Sequence, residues 1–223
     1  MMTTLIPQLN ADLSELADRV RNSLVQVTVG RRGSGSGVVF SDDGLVITNS
    51  HVVSGKGRRS SGDRLQVTLP DGAVVAGELL AKDEESDVAV LKIEGAEGNL
   101  PELHPIELGD SRSLRAGQWV MAMGHPWGVA AVAAGGIVIG AGPDLPEAPG
   151  AGRDWIAVDL ALRLGHSGGP LVGQRGRLIG ISTMMAGLEV GMAVPAHVLE
   201  QFVARVLAGE PGAGAGEGDA ALV

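Results

Sequence analysis

Residues 44–53 read GLVITNSHVV, an apolar stretch that begins at the glycine of an Asp-Asp-Gly turn signal and carries a histidine, His51, near its end. Short apolar runs bounded by turn residues are typical of buried β-strands. A second such run, DVAVLKI, occupies residues 87–93, and the PDG turn at 70–72 predicts a hairpin between two further strands. Turns recur about every ten residues, the spacing of a β-sandwich or barrel. The predicted strands of this set are 25–29, 37–40, 44–49, 65–69, 73–80 and 87–93.

A second strand set of similar size follows later in the chain. It comprises residues 118–123, 129–139, 155–160, 170–172, 178–183 and 190–194. An amphipathic helix before the first set carries its apolar stripe from Leu13 to Leu24, capped by Asn10 or Asp12, and Pro195 opens another helix after the second set. We therefore predict an all-β fold of two six-stranded antiparallel β-barrels with an N-terminal and a C-terminal helix.

The same pattern predicts how the 223 residues divide. The predicted parts are an N-terminal helical segment at 1–23, a first barrel at 24–100, a connection at 101–116, a second barrel with its helix at 117–209, and a disordered Gly/Ala tail at 210–223.

Composition excludes several classes of protein. The absence of cysteine excludes a disulfide scaffold, a thiolate zinc site and a cysteine nucleophile. A net charge of −9 argues against nucleic-acid binding, and no apolar run is long enough to predict a membrane span. The histidines lack metal-ligand spacing, so we expect neither a metal nor a cofactor. No signal peptide is visible, which predicts a cytoplasmic location, or the cell envelope if the chain is processed.

The sharpest chemical signal is the segment 165–170, GHSGGP, with Ser167 between glycines. A nucleophilic serine needs backbone N–H groups aimed at one oxyanion, and flanking glycines permit that close approach. The alternative is a Gly-Ser turn that leads into the strand at 170–172. The segment alone is compatible with both.

His51 and Asp87 each lie at the end of an apolar strand. His51 is either a surface histidine or a ring that projects from the end of a barrel. Asp87 is either a turn cap or a buried partner that fixes an imidazole tautomer. Taken in the order His, Asp, Ser, with the serine in the other strand set, the three residues match the pattern of Ser-His-Asp nucleophilic catalysis.

With further motifs, this pattern resembles the HtrA (Deg) branch of the chymotrypsin-like serine proteases, over about residues 24–208. The motifs that carry the resemblance are GSGVVF at 35–40, GLVITNSHVV at 44–53, DVAVLK at 87–92, GHPWG at 124–128, GIV at 136–138, the stretch 165–172 and GMAVP at 191–195.

The resemblance implies a chymotrypsin-like two-barrel fold and ATP-independent endoproteolysis of unfolded or exposed polypeptides in protein quality control. It implies Ser167 as nucleophile, His51 as general base and then acid, and Asp87 as the group that orients His51. The backbone N–H groups of Gly165 and Ser167 would form the oxyanion hole. It covers the protease domain without a PDZ domain. It further implies a homo-oligomer, a trimer, although the early aromatic residues used for trimer contacts in relatives have no obvious counterpart here.

The resemblance also locates a primary substrate pocket. Its walls would include Leu162, Leu164, Thr183 and Met184, with Met185 nearby and no acid at the base. An unpaired buried cation would be costly there, so we expect small to medium aliphatic P1 side chains. The methionines are equally compatible with ordinary core packing.

One loop departs from the family pattern. Residues 162–166 read LRLGH, where the family usually has Asn-Pro-Gly-Asn in the last four places. This departure motivates two alternatives to an active enzyme: a catalytically silent peptide-binding or chaperone module, and a zymogen-like state that a partner switches on.

Overall fold

The computed structural model describes residues 5–30, 33–54, 64–95, 102–145, 152–186 and 190–210, except for the side chain of Met184. Within these ranges the strands form two closed antiparallel barrels of six strands each, which confirms the predicted fold class. Most of the predicted tail at 210–223 lies outside the described residues, and the predicted domain boundaries stay predictions.

The first barrel closes in the strand order β1-β2-β3-β6-β5-β4. Valine, leucine and isoleucine side chains fill the barrel, and its strands Leu45–Thr48 and Val88–Ile93 are buried along almost their whole length. Their bounds are β1 Leu24–Val29, β2 Gly33–Val39, β3 Leu45–Thr48, β4 Leu65–Thr68, β5 Val74–Asp83 and β6 Val88–Ile93.

The second barrel closes in the order β10-β11-β12-β9-β8-β7. Its strands are β7 Trp119–Gly124, β8 Val132–Gly142, β9 Trp155–Asp159, β10 Pro170–Gly173, β11 Leu178–Ala186 and β12 Val190–Pro195. A cluster of buried residues drawn from both barrels and two helices joins the halves, so the two barrels share one hydrophobic seam.

Among the described residues, three α-helices accompany the barrels: α1 Leu5–Arg21, α2 Ser50–Ser54 and α3 Ala196–Leu207. A short 3-10 helix lies at Pro126–Gly128. Helix α3 buries Leu199 and Phe202 against the seam, and Gly209, with a φ of 69°, follows its C-cap residue Ala208. No helix in the described part of the chain is long and apolar enough to cross a membrane.

Helix α1 differs from its prediction. It already includes Leu5, so Asn10 and Asp12 lie inside it and cannot cap its start. It ends at Arg21 because a turn at Asn22 and Ser23 follows. Leu24, predicted to extend the helical stripe, is instead the first residue of β1 and pairs with Val38 of β2.

Beside the candidate site, the sequence pattern predicted one strand too short and missed one helix. Strand β2 begins at Gly33, four residues before the predicted start, because the glycine-rich segment pairs with β1 despite its low strand propensity. His51 lies in helix α2, a single turn directly after β3, and not in a strand end. Both elements lie at the seam between the barrels, where they contact the second barrel or carry a candidate side chain.

Candidate active site

His51 and Asp87 meet as expected from their positions in β3–α2 and before β6. The His51 Nδ1 atom lies 2.9 Å from Asp87 Oδ2 and 3.0 Å from Oδ1. An ionised carboxylate accepts hydrogen bonds only, so the proton of the neutral ring is on Nδ1 and Nε2 carries a lone pair. The His51 side chain is 48% exposed. The arrangement therefore presents a basic nitrogen to solvent at the mouth of the seam.

The Asp87 carboxylate is buried and surrounded by donors. Besides the His51 ring, it accepts hydrogen bonds from Ser50 Oγ at 2.9 Å, from the His51 backbone N–H at 3.1 Å and from the Thr183 hydroxyl. Burial by itself would raise the pKa of Asp87, but the hydrogen bonds from His51 and Thr183 outweigh it and hold the pKa below its ordinary value. Asp87 is thus an anion at neutral pH.

A strained backbone places that carboxylate. Asp87 has a φ of 54°, a conformation in which only glycine and, less often, Asp or Asn are comfortable. The Asn49 side-chain amide donates to the Asp87 carbonyl oxygen at 2.9 Å and ties this turn to the end of β3. A position held against its intrinsic preference is a common property of functional sites.

Ser167 lies in the turn before β10, between Gly165 and Gly168. Its hydroxyl donates to the Thr183 carbonyl oxygen at 2.9 Å. In the described part of the chain, no hydrogen bond joins Ser167 to His51. Thr183 therefore contacts two candidate residues. Its hydroxyl donates a hydrogen bond to Asp87, and its carbonyl oxygen accepts one from the Ser167 hydroxyl. Rotation of the Ser167 side chain about Cα–Cβ is what would redirect that proton.

The turn before the serine leaves two backbone donors free. His166 N–H bonds the Arg163 carbonyl at 2.9 Å, and Gly165 adopts a φ of 105°. Within the described residues, neither the Gly165 N–H nor the Ser167 N–H donates to a protein acceptor. These are the two donors expected to form an oxyanion hole, and two free donors with one residue between them suit a single anionic oxygen.

The side chain of His166 stabilises the loop at 162–166, the loop whose sequence differs from the family pattern. Its imidazole is fully buried, and its Nδ1 accepts the Arg163 backbone N–H at 3.1 Å. Burial lowers the pKa of His166, so the ring is neutral. Its Nε2 atom is buried without a partner among the described residues. Arg163 in turn stacks its guanidinium 5.4 Å above the ring of Trp127.

The residues expected to line a substrate pocket differ in burial and in the groups they contact. Leu162 packs on the second-barrel core and its Cδ1 lies beside Gly191. Leu164 is 93% exposed, while Thr183 is buried with its hydroxyl on Asp87. The Met184 side chain is outside the described part. The pocket assignment stays a prediction.

The structure also contains a second Ser-His-Asp group that the sequence pattern did not reveal. Ser111 Oγ lies 2.8 Å from His197 Nδ1, and His197 Nε2 lies 3.0 Å from Asp154 Oδ2. Ser111 is only 4% exposed, and its Oγ also accepts the backbone N–H of His197 in the first turn of α3. This serine caps a helix and is not accessible to a substrate.

In the described ranges, no group of three or more His, Asp or Glu side chains is arranged to hold a metal ion. Sequence spacing did not predict the hydrogen bonds that Ser50 and Thr183 donate to Asp87, or the one that Ser36 donates to the Gly165 carbonyl. For Ser36, the sequence analysis used the segment 35–37 only as part of the family motif GSGVVF.

Comparison with known proteins agrees with this geometry. The family model "Trypsin-like peptidase domain" matches residues 35–181. A probable periplasmic serine endoprotease, DegP-like, of Brucella suis is 36% identical over 178 residues, which cover 78% of this chain and 33% of that protein.

Two relatives from other lineages match similarly. Serine protease HTRA1 of Xenopus tropicalis is 37% identical over 174 residues, covering 77% of this chain and 35% of that protein. Putative serine protease HhoB of Synechocystis is 37% identical over 168 residues, with 74% and 38% covered. The chain spans about a third of the length of these curated relatives. The comparisons confirm the HtrA/DegP resemblance over the protease region, and the chain belongs to the trypsin-like peptidase domain family.

Proposed function

We propose that the chain is a serine endopeptidase in which Ser167 is the nucleophile, His51 the general base and Asp87 its orienting acid. The observation that carries the proposal is the buried Asp87 carboxylate bonded to His51 Nδ1, which leaves Nε2 as a base at the same seam as Ser167. The serine protease names of the relatives support this activity.

The geometry supports the following sequence of steps. Ser167 rotates away from the Thr183 carbonyl and passes its proton to His51 Nε2 while Oγ bonds to the scissile carbonyl carbon. The resulting oxyanion accepts hydrogen bonds from the Gly165 and Ser167 N–H groups. His51 returns the proton to the leaving amine, the C–N bond breaks and an ester to Ser167 remains. Water then hydrolyses that ester by the same route.

The proposed substrates are unfolded or exposed polypeptide segments, which can lie extended across the seam. We propose small to medium aliphatic P1 side chains, because Leu162 lies against Gly191 where the family's primary pocket is expected. A peptide library cleaved mainly after Arg or Lys would contradict that preference. A role in protein quality control follows from the family resemblance and predicts faster cleavage of casein than of a stably folded protein.

For location, the word periplasmic in the names of the first relatives favours the cell envelope over the predicted cytoplasm. Fractionation of the native host, followed by immunoblotting, tests this. Assembly into a trimer remains a prediction, which sedimentation velocity of the purified chain tests.

The decisive experiment uses a fluorophosphonate probe and casein with three proteins: the wild type, Ser167→Ala and Ser111→Ala. Loss of a triad serine costs roughly 10⁶-fold in turnover. We expect Ser167→Ala to abolish labelling and cleavage. Ser111→Ala, which removes the serine of the second Ser-His-Asp group, should keep both. Labelling that survives in Ser167→Ala would refute the assignment.

A second candidate function rests on the observed serine rotamer. Because the Ser167 hydroxyl bonds Thr183 and not His51, a silent peptide-binding module would have this same structure. It predicts that casein binds the wild type without cleavage and that the probe never labels Ser167.

A further inference from the structure

Ser36 in β2 connects the first barrel to the turn that carries the two free N–H groups. It is fully buried. Its backbone N–H donates to the Ser167 carbonyl at 2.8 Å, and its hydroxyl donates to the Gly165 carbonyl at 2.8 Å. One residue therefore holds the carbonyl groups of both proposed oxyanion-hole residues.

His125 completes this arrangement. Its backbone N–H lies 3.0 Å from both the Gly165 carbonyl and Ser36 Oγ, and its Nδ1 lies 3.0 Å from Ser36 Oγ. A serine hydroxyl has one proton and two acceptor sites. If that proton goes to the Gly165 carbonyl, His125 must donate from Nδ1–H, and the Ser36 hydroxyl then both donates and accepts.

The bonds fix a particular peptide unit. The Gly165 and Ser167 N–H groups flank the peptide between Gly165 and His166. Its carbonyl is held by Ser36 and His125, while its N–H is held by Arg163. Glycine by itself would let this peptide rotate freely. Because its carbonyl and its N–H are both hydrogen-bonded, this peptide cannot rotate, and the Gly165 and Ser167 N–H groups on either side of it keep a fixed orientation.

Close packing leaves little room for another arrangement. A Cβ at Gly124 would lie 2.7 Å from the Gly165 carbonyl oxygen and 3.1 Å from Ser36 Oγ. A Cβ at Gly35 would lie 3.0 Å from the Ser167 carbonyl oxygen, and one at Gly168 would overlap the Ser36 carbonyl oxygen. Glycines on three sides let the backbones approach within hydrogen-bond distance of Ser36.

We propose that Ser36 is a positioning residue for the oxyanion hole, acting through the Gly165 and Ser167 carbonyl groups. This inference rests on the proposed peptidase function. Since β2 belongs to the barrel that carries His51, the same bonds set the hole relative to the base. The effect should be seen in the transition state, where the oxyanion exists, and not in ground-state binding of substrate.

The test compares Ser36→Ala with Ser111→Ala. Ser111 is a second buried serine, and its hydroxyl makes two hydrogen bonds to His197, a residue outside the proposed hole. Ser36→Ala keeps the backbone bond and removes only the hydroxyl. We expect kcat on a peptide substrate to fall about 10- to 100-fold with KM changed less than about threefold. Affinity for a peptide aldehyde should weaken in parallel with kcat. Ser111→Ala should lose about as much thermal stability as Ser36→Ala does, but its kcat should equal that of the wild type.

A graded variant and a structural readout make the outcome decisive. Ser36→Cys returns a weaker donor of similar shape and should give an intermediate kcat. Amide hydrogen exchange of residues 163–169 should accelerate in Ser36→Ala and not in Ser111→Ala. An unchanged kcat and unchanged exchange in Ser36→Ala would overturn the inference, and so would equal losses of kcat in Ser36→Ala and Ser111→Ala.

Failure of the inference is distinguishable from failure of the proposed function. If the wild type neither labels with fluorophosphonate nor cleaves peptides, the peptidase assignment fails, while hydrogen exchange still tests whether Ser36 holds the turn. If the wild type is active and Ser36→Ala matches it, only the role of Ser36 is refuted.

Discussion

Acid should destabilise this protein through His125. The side chain is 8% exposed, and burial lowers the pKa of His125 to about 4 from an ordinary value of 6.5. The ring lies in the group that braces Gly165, with its Nδ1 atom 3.0 Å from Ser36 Oγ. Protonation would place a charge in this enclosed site without an anionic partner.

The sign and size of the effect follow from proton linkage. Between pH 6.5 and 4 the unfolded chain binds a proton at this position and the folded chain does not, so the free energy of unfolding falls as the pH is lowered. The contribution is fully present above pH 6.5 and is lost progressively towards pH 4. A pKa of about 4 in place of 6.5 corresponds to about 3 kcal/mol.

The variant His125→Asn isolates this contribution. An asparagine amide nitrogen can occupy the place of Nδ1 and donate to Ser36, but it does not titrate. Urea unfolding at pH 7 and pH 4 should show the wild type losing about 3 kcal/mol more than His125→Asn. Other titrating groups, such as Asp87 and His166, contribute equally to both proteins and cancel. Parallel losses in the two proteins would refute the reasoning.

Three other substitutions test the site and its packing. Asp87→Asn should reduce kcat by roughly 10³- to 10⁴-fold, because an amide no longer fixes the Nδ1–H tautomer of His51; a loss below tenfold in peptide hydrolysis would contradict this. Thr183→Val removes a donor to that carboxylate and should reduce kcat/KM about tenfold, whereas an unchanged value would assign the hydroxyl no role. Gly168→Ala should destabilise the fold by at least about 2 kcal/mol more than Gly72→Ala in urea unfolding, since both have positive φ but only Gly168 is enclosed; equal losses would show that the backbone there relaxes.

The fold could be predicted because its signals are local. Short continuous apolar runs such as β3 and β6 indicate buried strands, and turn residues such as those at 70–72 show where strands end. Two sets of six strands then leave few architectures that bury every edge. The chain order His51, Asp87, Ser167 was informative for a similar reason, since each residue adjoins a recognisable apolar strand.

What could not be predicted depends on pairings far apart in sequence. Ser36 and Gly165 are separated by 129 positions, and Thr183 and Asp87 by 96. Ser36 and Thr183 are small polar residues inside strands, and nothing in their sequence neighbours indicates these partners. The start of β2 was missed because propensity disfavours glycine where tertiary packing requires it. Helix α2, which carries His51 directly after β3, was not predicted because a single helical turn has no periodicity.

Thr183 links these long-range contacts to the chemistry. Its hydroxyl helps to keep Asp87 ionised in the first barrel, and its carbonyl holds the Ser167 hydroxyl in the second. The serine must leave that carbonyl before it can reach His51. A typical hydrogen bond contributes about 1 kcal/mol net, and 1.4 kcal/mol corresponds to a factor of ten. Releasing the serine would therefore slow the proposed reaction by less than tenfold, which is small beside the contribution of a triad serine. The observed rotamer is thus compatible with the proposed peptidase and is not by itself a sign of an inactive protein.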